Sequence, residues 1–193
     1  CMDYERMIEA FKAESDQEAE DQETILAYIR ENRSTVLCRE NKIAHMTSSG
    51  FIMNPSLDKV LMVYHRIYDS WSWTGGHSDG ERDLLKTALR EAEEETGVET
   101  FQTPMKDLLS LAILPVPAHY KGGRYVSVHL HFSPSFLLLA EEDSPLRVKE
   151  DENAGVRWLD ADALEGYVTE REMLPVYRRL IEKARSLRRS GRI

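Results

Sequence analysis

The chain has 193 residues, enough for one sizeable core, and its 41% hydrophobic and 31% charged residues are the composition of a soluble globular protein. No apolar run approaches the roughly 20 residues that cross a bilayer. The net charge of −9 argues against binding to a nucleic acid polymer, which needs clustered Lys and Arg. The acidic, charge-broken N-terminus is not a secretory signal. Cys1 precedes a methionine, so Cys38 is read as the one natural cysteine, which excludes a disulfide framework or a cysteine zinc cluster. A cytoplasmic protein without a membrane partner is the expectation.

In chain order, residues 3–32 read as one or two helices, because Met7, Ile8, Phe11 and then Ile25, Leu26, Ile29 recur at helical spacing. Residues 1–40 are taken as a helical extension and 41–193 as the main domain. "IAHMTSSGFIMN", "KVLMVYHRI" and "DSWSWTGG" are short, β-branched or aromatic runs separated by turn residues, and they predict strands. A helix follows over Asp83–Thr96, stopped by Gly97. "LLSLAILPVP" and "RYVSVHLHFSPSFLLLA" predict further strands, with "HYKGGRY" as a loop between them. An acidic loop, the short strand "VRWLD" and a helical turn at "ADALEGY" come next. A C-terminal helix over "EREMLPVYRRLIEKARSL" carries Pro175 in its first turn or at a kink. Its basic end complements the helix dipole or offers a site to an anionic partner. This order describes an α+β sandwich with a mixed sheet rather than a regular βαβ chain.

The helix before Gly97 breaks a local rule. Leu85, Ala88, Leu89 and Ala92 form an apolar stripe, and Glu91, Glu94 and Glu95 share the same spacing as a second stripe beside it. Glu93 points elsewhere. Acids are disfavoured in the last helical turn, where the dipole is already negative. Such a break tends to mark a functional site. A hard divalent cation such as Mg2+ or Mn2+, which takes carboxylate oxygens, would remove the cost. Gly75, Gly76 and Gly80, just before the helix, permit close approach of backbone to a ligand.

This stretch resembles the Nudix box, G-x5-E-x7-R-E-U-x-E-E-x-G-U with U apolar. Gly76, Arg90, Glu91, Ala92, Glu94, Glu95, Gly97 and Val98 match it; Arg82 stands where the early glutamate is expected, with Glu81 one residue short. The likeness extends more loosely over residues 40–185, including "DENAGVRWLDADAL". It implies the family's α/β/α sandwich with a mixed sheet, plus the N-terminal helices as an addition. It implies hydrolysis of a nucleoside diphosphate linked to another moiety X, with Mg2+ or Mn2+ as cofactor. The implied metal ligands are Glu91, Glu94 and Glu95, with the Gly76 carbonyl. Arg90 ties helix to loop or orients a glutamate. The general base is a box glutamate such as Glu94, or Glu152 in the late acidic loop. Dimerisation is common in the family, and the N-terminal helices are a candidate interface.

The histidines leave alternatives open. His129 and His131 alternate onto one strand face with Tyr125, Ser127 and Ser133, while Val128, Leu130 and Phe132 face a core. His-x-His on a strand can be a zinc pair, but no third soft ligand is assigned. The expectation is that they line the substrate cleft or a polar layer. His77, Tyr120 and Arg124 are further candidate substrate contacts, as is His119 beside them. Trp71 and Trp73 either pack in the core or stack on a base. Two rival functions remain. One is a non-catalytic domain of this fold that senses a ligand, for which lost box glutamates would be expected. The other is an isomerase like the isopentenyl-diphosphate enzymes, for which a cysteine near the site would be expected.

Overall fold

The computed structural model describes residues 3–151 and 153–193. The N-terminal segment forms two helices, α1 (Tyr4–Ala10) and α2 (Asp16–Asn32), each started by a side chain that accepts a backbone N–H: Asp3 from Glu5 and Ser15 from Glu18. The strands are β1 (Ala44–Met53), β2 (Lys59–His65), β3 (Ser70–Ser72) and β4 (Thr74–His77). Helix α3 (Leu84–Thr96) follows, then β5 (Ser110–Val116), β6 (His119–Lys121), β7 (Arg124–Val126), β8 (His129–Leu139) and β9 (Asn153–Asp160). A 3-10 turn at Leu164–Gly166 leads to α4 (Leu174–Arg189), with Pro175 in its first turn, where a missing N–H costs nothing.

The seven-stranded sheet runs β3-β2-β1-β8-β5, with β4 beside β1 and β9 beside β2. It is mixed: β1 and β8 are parallel, and the other pairs are antiparallel. One edge of β1 is shared. Its first half pairs with β4 (Thr47↔His77 to Gly50↔Thr74) and its end with β2 (Ile52↔Leu61). Alternation along β1 sends Met46 and Ile52 toward α1, α2 and α3, and Phe51 and Met53 toward α4. These two apolar clusters make an α/β/α sandwich.

The N-terminal helices belong to that core. Tyr4, Met7, Ile8, Ile25 and Ile29 are buried in the same cluster as Leu84, Ala88 and Ala92 of α3. The apolar faces of these helices are thus packed within the chain. Helix α2 also covers an open sheet edge. Asp21 accepts the Ile113 N–H at 2.9 Å, and Gln17 donates to the Leu111 carbonyl at 3.4 Å, so β5 presents no free strand edge there.

Several boundaries differ from the sequence reading. "HYKGGRY" is a two-stranded hairpin, β6–β7, whose turn is made by Gly122 and Gly123 at φ 55° and 76°. The long run expected as one strand from Arg124 is broken before His129. Val128 and Leu130 do not face a core: they are 67% and 37% exposed, and the apolar face of β8 starts at Phe132. The apolar stripe of α3 is rotated. Leu84, Thr87, Ala88, Ala92, Glu95 and Thr96 are buried, whereas Leu85 and Leu89 lie only partly within the core. Trp71 and Trp73 pack against the α4-side core, Trp73 edge-on to Tyr177 at 5.7 Å. The basic end of α4 is tied to its own chain: Arg185 to Asp162 and the Leu57 carbonyl, Arg188 to the Pro55 carbonyl.

One carboxyl in this layer sets a pH dependence. Burial, with Glu172 nearby, pushes Glu170 up to about 7. The folded chain therefore holds that proton more tightly than the unfolded chain, so the group's contribution is full below about pH 4.5 and is lost as pH rises to about 7. Glu170→Gln is expected to exceed the parent in stability by on the order of 1 kcal/mol at pH 8 and to show no gain at pH 4. Urea unfolding at the two pH values measures this. An equal gain at both would remove the titration as its cause.

Candidate active site around the C-terminal end of α3

Local signals build α3. Asp83 caps its start by accepting the Lys86 N–H, and Gly97 ends it in the left-handed conformation (φ 77°), its N–H returned to the Glu93 carbonyl. The last turn carries no basic residue. Its acids point different ways. Glu93 is exposed. Glu95 is only 4% exposed; it accepts the Gly75 N–H at 2.9 Å and the Asn153 side-chain amide at 3.1 Å. Glu91 is nearly buried and accepts from the Arg90 guanidinium at 2.8 Å. Glu94 is about half exposed, with the Lys149 ammonium 3.4 Å away.

Arg90 also donates to the His77 carbonyl at 3.1 Å, so one guanidinium joins Glu91 to the end of β4. Gly76 lies directly against the Glu91 carboxylate. A Cβ there would sit 2.5 and 2.7 Å from its two oxygens. Gly76→Ala is expected to displace the Glu91 carboxylate rather than the backbone. Any activity that depends on Glu91 should fall at least ~10-fold, with a stability loss of about 1–2 kcal/mol. Turnover and a thermal melt on the same sample separate the two effects, and unchanged turnover would show that the Glu91 position does not matter.

Arg82, at the position of the early box glutamate, faces the N-terminus: it pairs with Asp3 and lies over the Tyr4 ring at 5.0 Å. Glu81, one residue before it, accepts from the Lys86 ammonium and the Asp83 N–H, which hold its carboxyl down at about 2. Glu152, the candidate base outside the helix, lies outside the described residues. Tyr120 and Arg124 are exposed on the β6–β7 hairpin, where Tyr120 packs edge-on to Tyr125. Cys38 is half-buried in the turn before β1.

The structure brings together a histidine group that the sequence did not assemble. Among the described residues, one set of three or more potential ligand side chains converges, with the ligand atoms of His45, His77 and His131 all within 4.8 Å of one another. Glu91, Glu94 and Glu95 are not drawn into such a set, and each has a different partner: Arg90, Lys149, and the Gly75 N–H with Asn153. His45 was not singled out from sequence. Its place at the start of β1, on the face with Thr47 and opposite His131, depends on the parallel β1–β8 pairing.

A family model described as the NUDIX domain matches residues 44–183. Among solved structures, similar folds include a Caenorhabditis elegans Ap4A hydrolase (14% identity, TM-score 0.51), sharing 75% of this chain and 98% of that one. An Escherichia coli dihydroneopterin triphosphate pyrophosphohydrolase shares 72% and 92% at 19% identity and TM-score 0.52. A MutT NUDIX hydrolase from Burkholderia pseudomallei shares 72% and 97% at 19% identity and TM-score 0.50. No curated protein matches the sequence. The fold and the family match define an α/β/α domain of the hydrolase class that acts on phosphorus anhydrides. The chain belongs to the NUDIX family. No helix is long and apolar enough to cross a membrane among the described residues.

Proposed function

We propose that this chain hydrolyses a pyrophosphate bond in a nucleoside diphosphate linked to a second moiety X, with Mg2+ or Mn2+ held by Glu91, Glu94 and Glu95. The family match over residues 44–183, with these three glutamates in place at the end of α3, carries the reading. The donor set suits a hard divalent cation: four carboxylates crowd the last two turns, with Arg90 paired to Glu91 and Lys149 to Glu94. When bound, the cation supplies charge neutralisation for the diphosphate and Lewis acidity toward its phosphorus–oxygen bonds.

The protein's own part is positioning. Arg90 fixes Glu91 against β4, and Glu95 fixes the Gly75 backbone, so the loop and the helix end form one rigid edge. Glu94, half-exposed with one long contact, is the carboxylate freest to meet a ligand or to accept a proton from water. The exposed hairpin with Tyr120 and Arg124 is the surface offered to X.

The test is release of phosphate or nucleotide from a panel of nucleoside diphosphate derivatives with Mg2+ or Mn2+. Metal-dependent turnover on one class supports the reading and names X. Tight Mn2+ binding without turnover on any of them would favour a non-catalytic sensor.

A further inference from the structure

β4 presents successive residues to opposite faces of the sheet. Gly76 meets Glu91 on the α3 face, and His77 projects to the other. There His77 meets His45 of β1 and His131 of β8, which are directly paired in the parallel ladder. The ring centroids are 5.0 Å (His45–His77), 5.0 Å (His45–His131) and 5.1 Å (His77–His131) apart. Three imidazoles from three strands therefore surround one point, on the face away from the carboxylates.

The tautomer of His45 is set. Its Nδ1 lies 2.8 Å from the Asn41 carbonyl, which can only accept, so Nδ1 carries the hydrogen and Nε2 keeps its lone pair. That Nε2 is buried without a hydrogen-bond partner, and His45 is 3% exposed. The Nε2 of His131 is likewise buried and unpartnered. Two orphaned ring nitrogens aimed into one cluster need an explanation, since buried polar atoms are otherwise satisfied. A histidine whose Nδ1–H is held by a backbone carbonyl while Nε2 faces its neighbours has the arrangement of a metal ligand.

We infer that His45, His77 and His131 form a second cation site, selective for Zn2+ or a similar imidazole-preferring divalent ion, with one coordination position left open. Imidazole nitrogens favour such ions over Mg2+, which takes oxygen. Tetrahedral Zn–N bonds of about 2.0–2.1 Å place ligand nitrogens roughly 3.4 Å apart. The nitrogens here lie within 4.8 Å, a gap that small side-chain rotations close. His129 stacks on the His45 ring at 5.0 Å and donates Nδ1–H to the Ser127 carbonyl in the link before its strand, so it buttresses the trio rather than joining it. Three protein ligands leave the fourth position to water or an anionic oxygen. Burial supports the assignment, holding His131 at about 2 and His77 at about 3, so both rings are neutral and their lone pairs available at neutral pH. This inference does not depend on the proposed hydrolysis.

The test is Zn2+ titration of the full chain by calorimetry, with the imidazole 15N resonances followed by NMR. With excess Mg2+ present to occupy the carboxylates, one Zn2+ per chain is expected, shifting the ring nitrogens of His45, His77 and His131 and leaving His119 unmoved. His131→Gln and His77→Gln should each weaken binding at least ~100-fold, and His119→Gln should leave it unchanged. The wild-type NMR readout stands even if a histidine variant folds poorly. Zn2+ that moves none of the three rings, or that is lost with Glu94→Gln and kept in the histidine variants, would overturn the site.

Discussion

Glu94→Gln is expected to lower metal-dependent hydrolysis by roughly 1,000-fold while the protein melts as before. The size follows from the several kcal/mol that a correctly held cation contributes to a phosphoryl transition state. The clean separation from stability follows from the position. Glu94 is about half exposed and is approached by Lys149 at 3.4 Å, so replacing a carboxylate oxygen with an amide leaves nothing buried and unpaired. Glu95→Gln should match the loss of activity but also destabilise the fold. Both Glu95 oxygens accept hydrogen bonds in a buried setting, and a glutamine must turn an NH2 toward either the Gly75 N–H or the Asn153 amide. Steady-state turnover at saturating Mn2+ together with thermal melts distinguishes the two variants. A Glu94→Gln protein with near wild-type turnover would remove this residue from the metal site.

Glu18→Ala should be among the most destabilising substitutions outside the sheet, at about 3–5 kcal/mol. Glu18 on α2 and Lys183 on α4 meet at 2.5 Å with side chains 6% and 13% exposed, and Lys183 also donates to the Leu109 carbonyl. Removing the carboxylate strands a buried ammonium and also frees the Glu14 N–H that Glu18 accepts. For a chain of this length the melting temperature should fall by roughly 6–20 °C. Replacing both partners with Leu and Met should cost much less, because no charge is then left alone. If the single and double changes cost the same, the pair is not energetically coupled. The result also bears on the N-terminal helices. They supply buried side chains to the main core, and Glu18 of α2 pairs with Lys183 of the C-terminal helix.

How much of this was legible in advance depends on how local each signal is. The limits of α3 could be read because Asp83 and Gly97 act on their own helix ends. Its buried face could not be chosen the same way. Leu84, Leu85, Ala88, Leu89 and Ala92 offer two overlapping apolar rows, and only contact with β1 and β4 selects the Leu84–Ala88–Ala92 row. That rotation puts Glu95 on the buried side, where it anchors Gly75. The crowding of acids at the helix end points to a divalent cation that relieves their repulsion. The fold shows that Arg90, Lys149, Asn153 and the Gly75 N–H relieve part of it first, all but Arg90 brought from distant segments.

The sequence by itself determined the family motif, the order of helices and strands and the caps of α3, because these rest on spacing within a few residues of the chain. The tertiary structure alone decided which glutamates are held and by what, where Arg82 points, and that His45, His77 and His131 share one point. Those contacts join strands far apart in sequence, and a two-residue alternation tells which face a side chain takes but not which strand lies beside it.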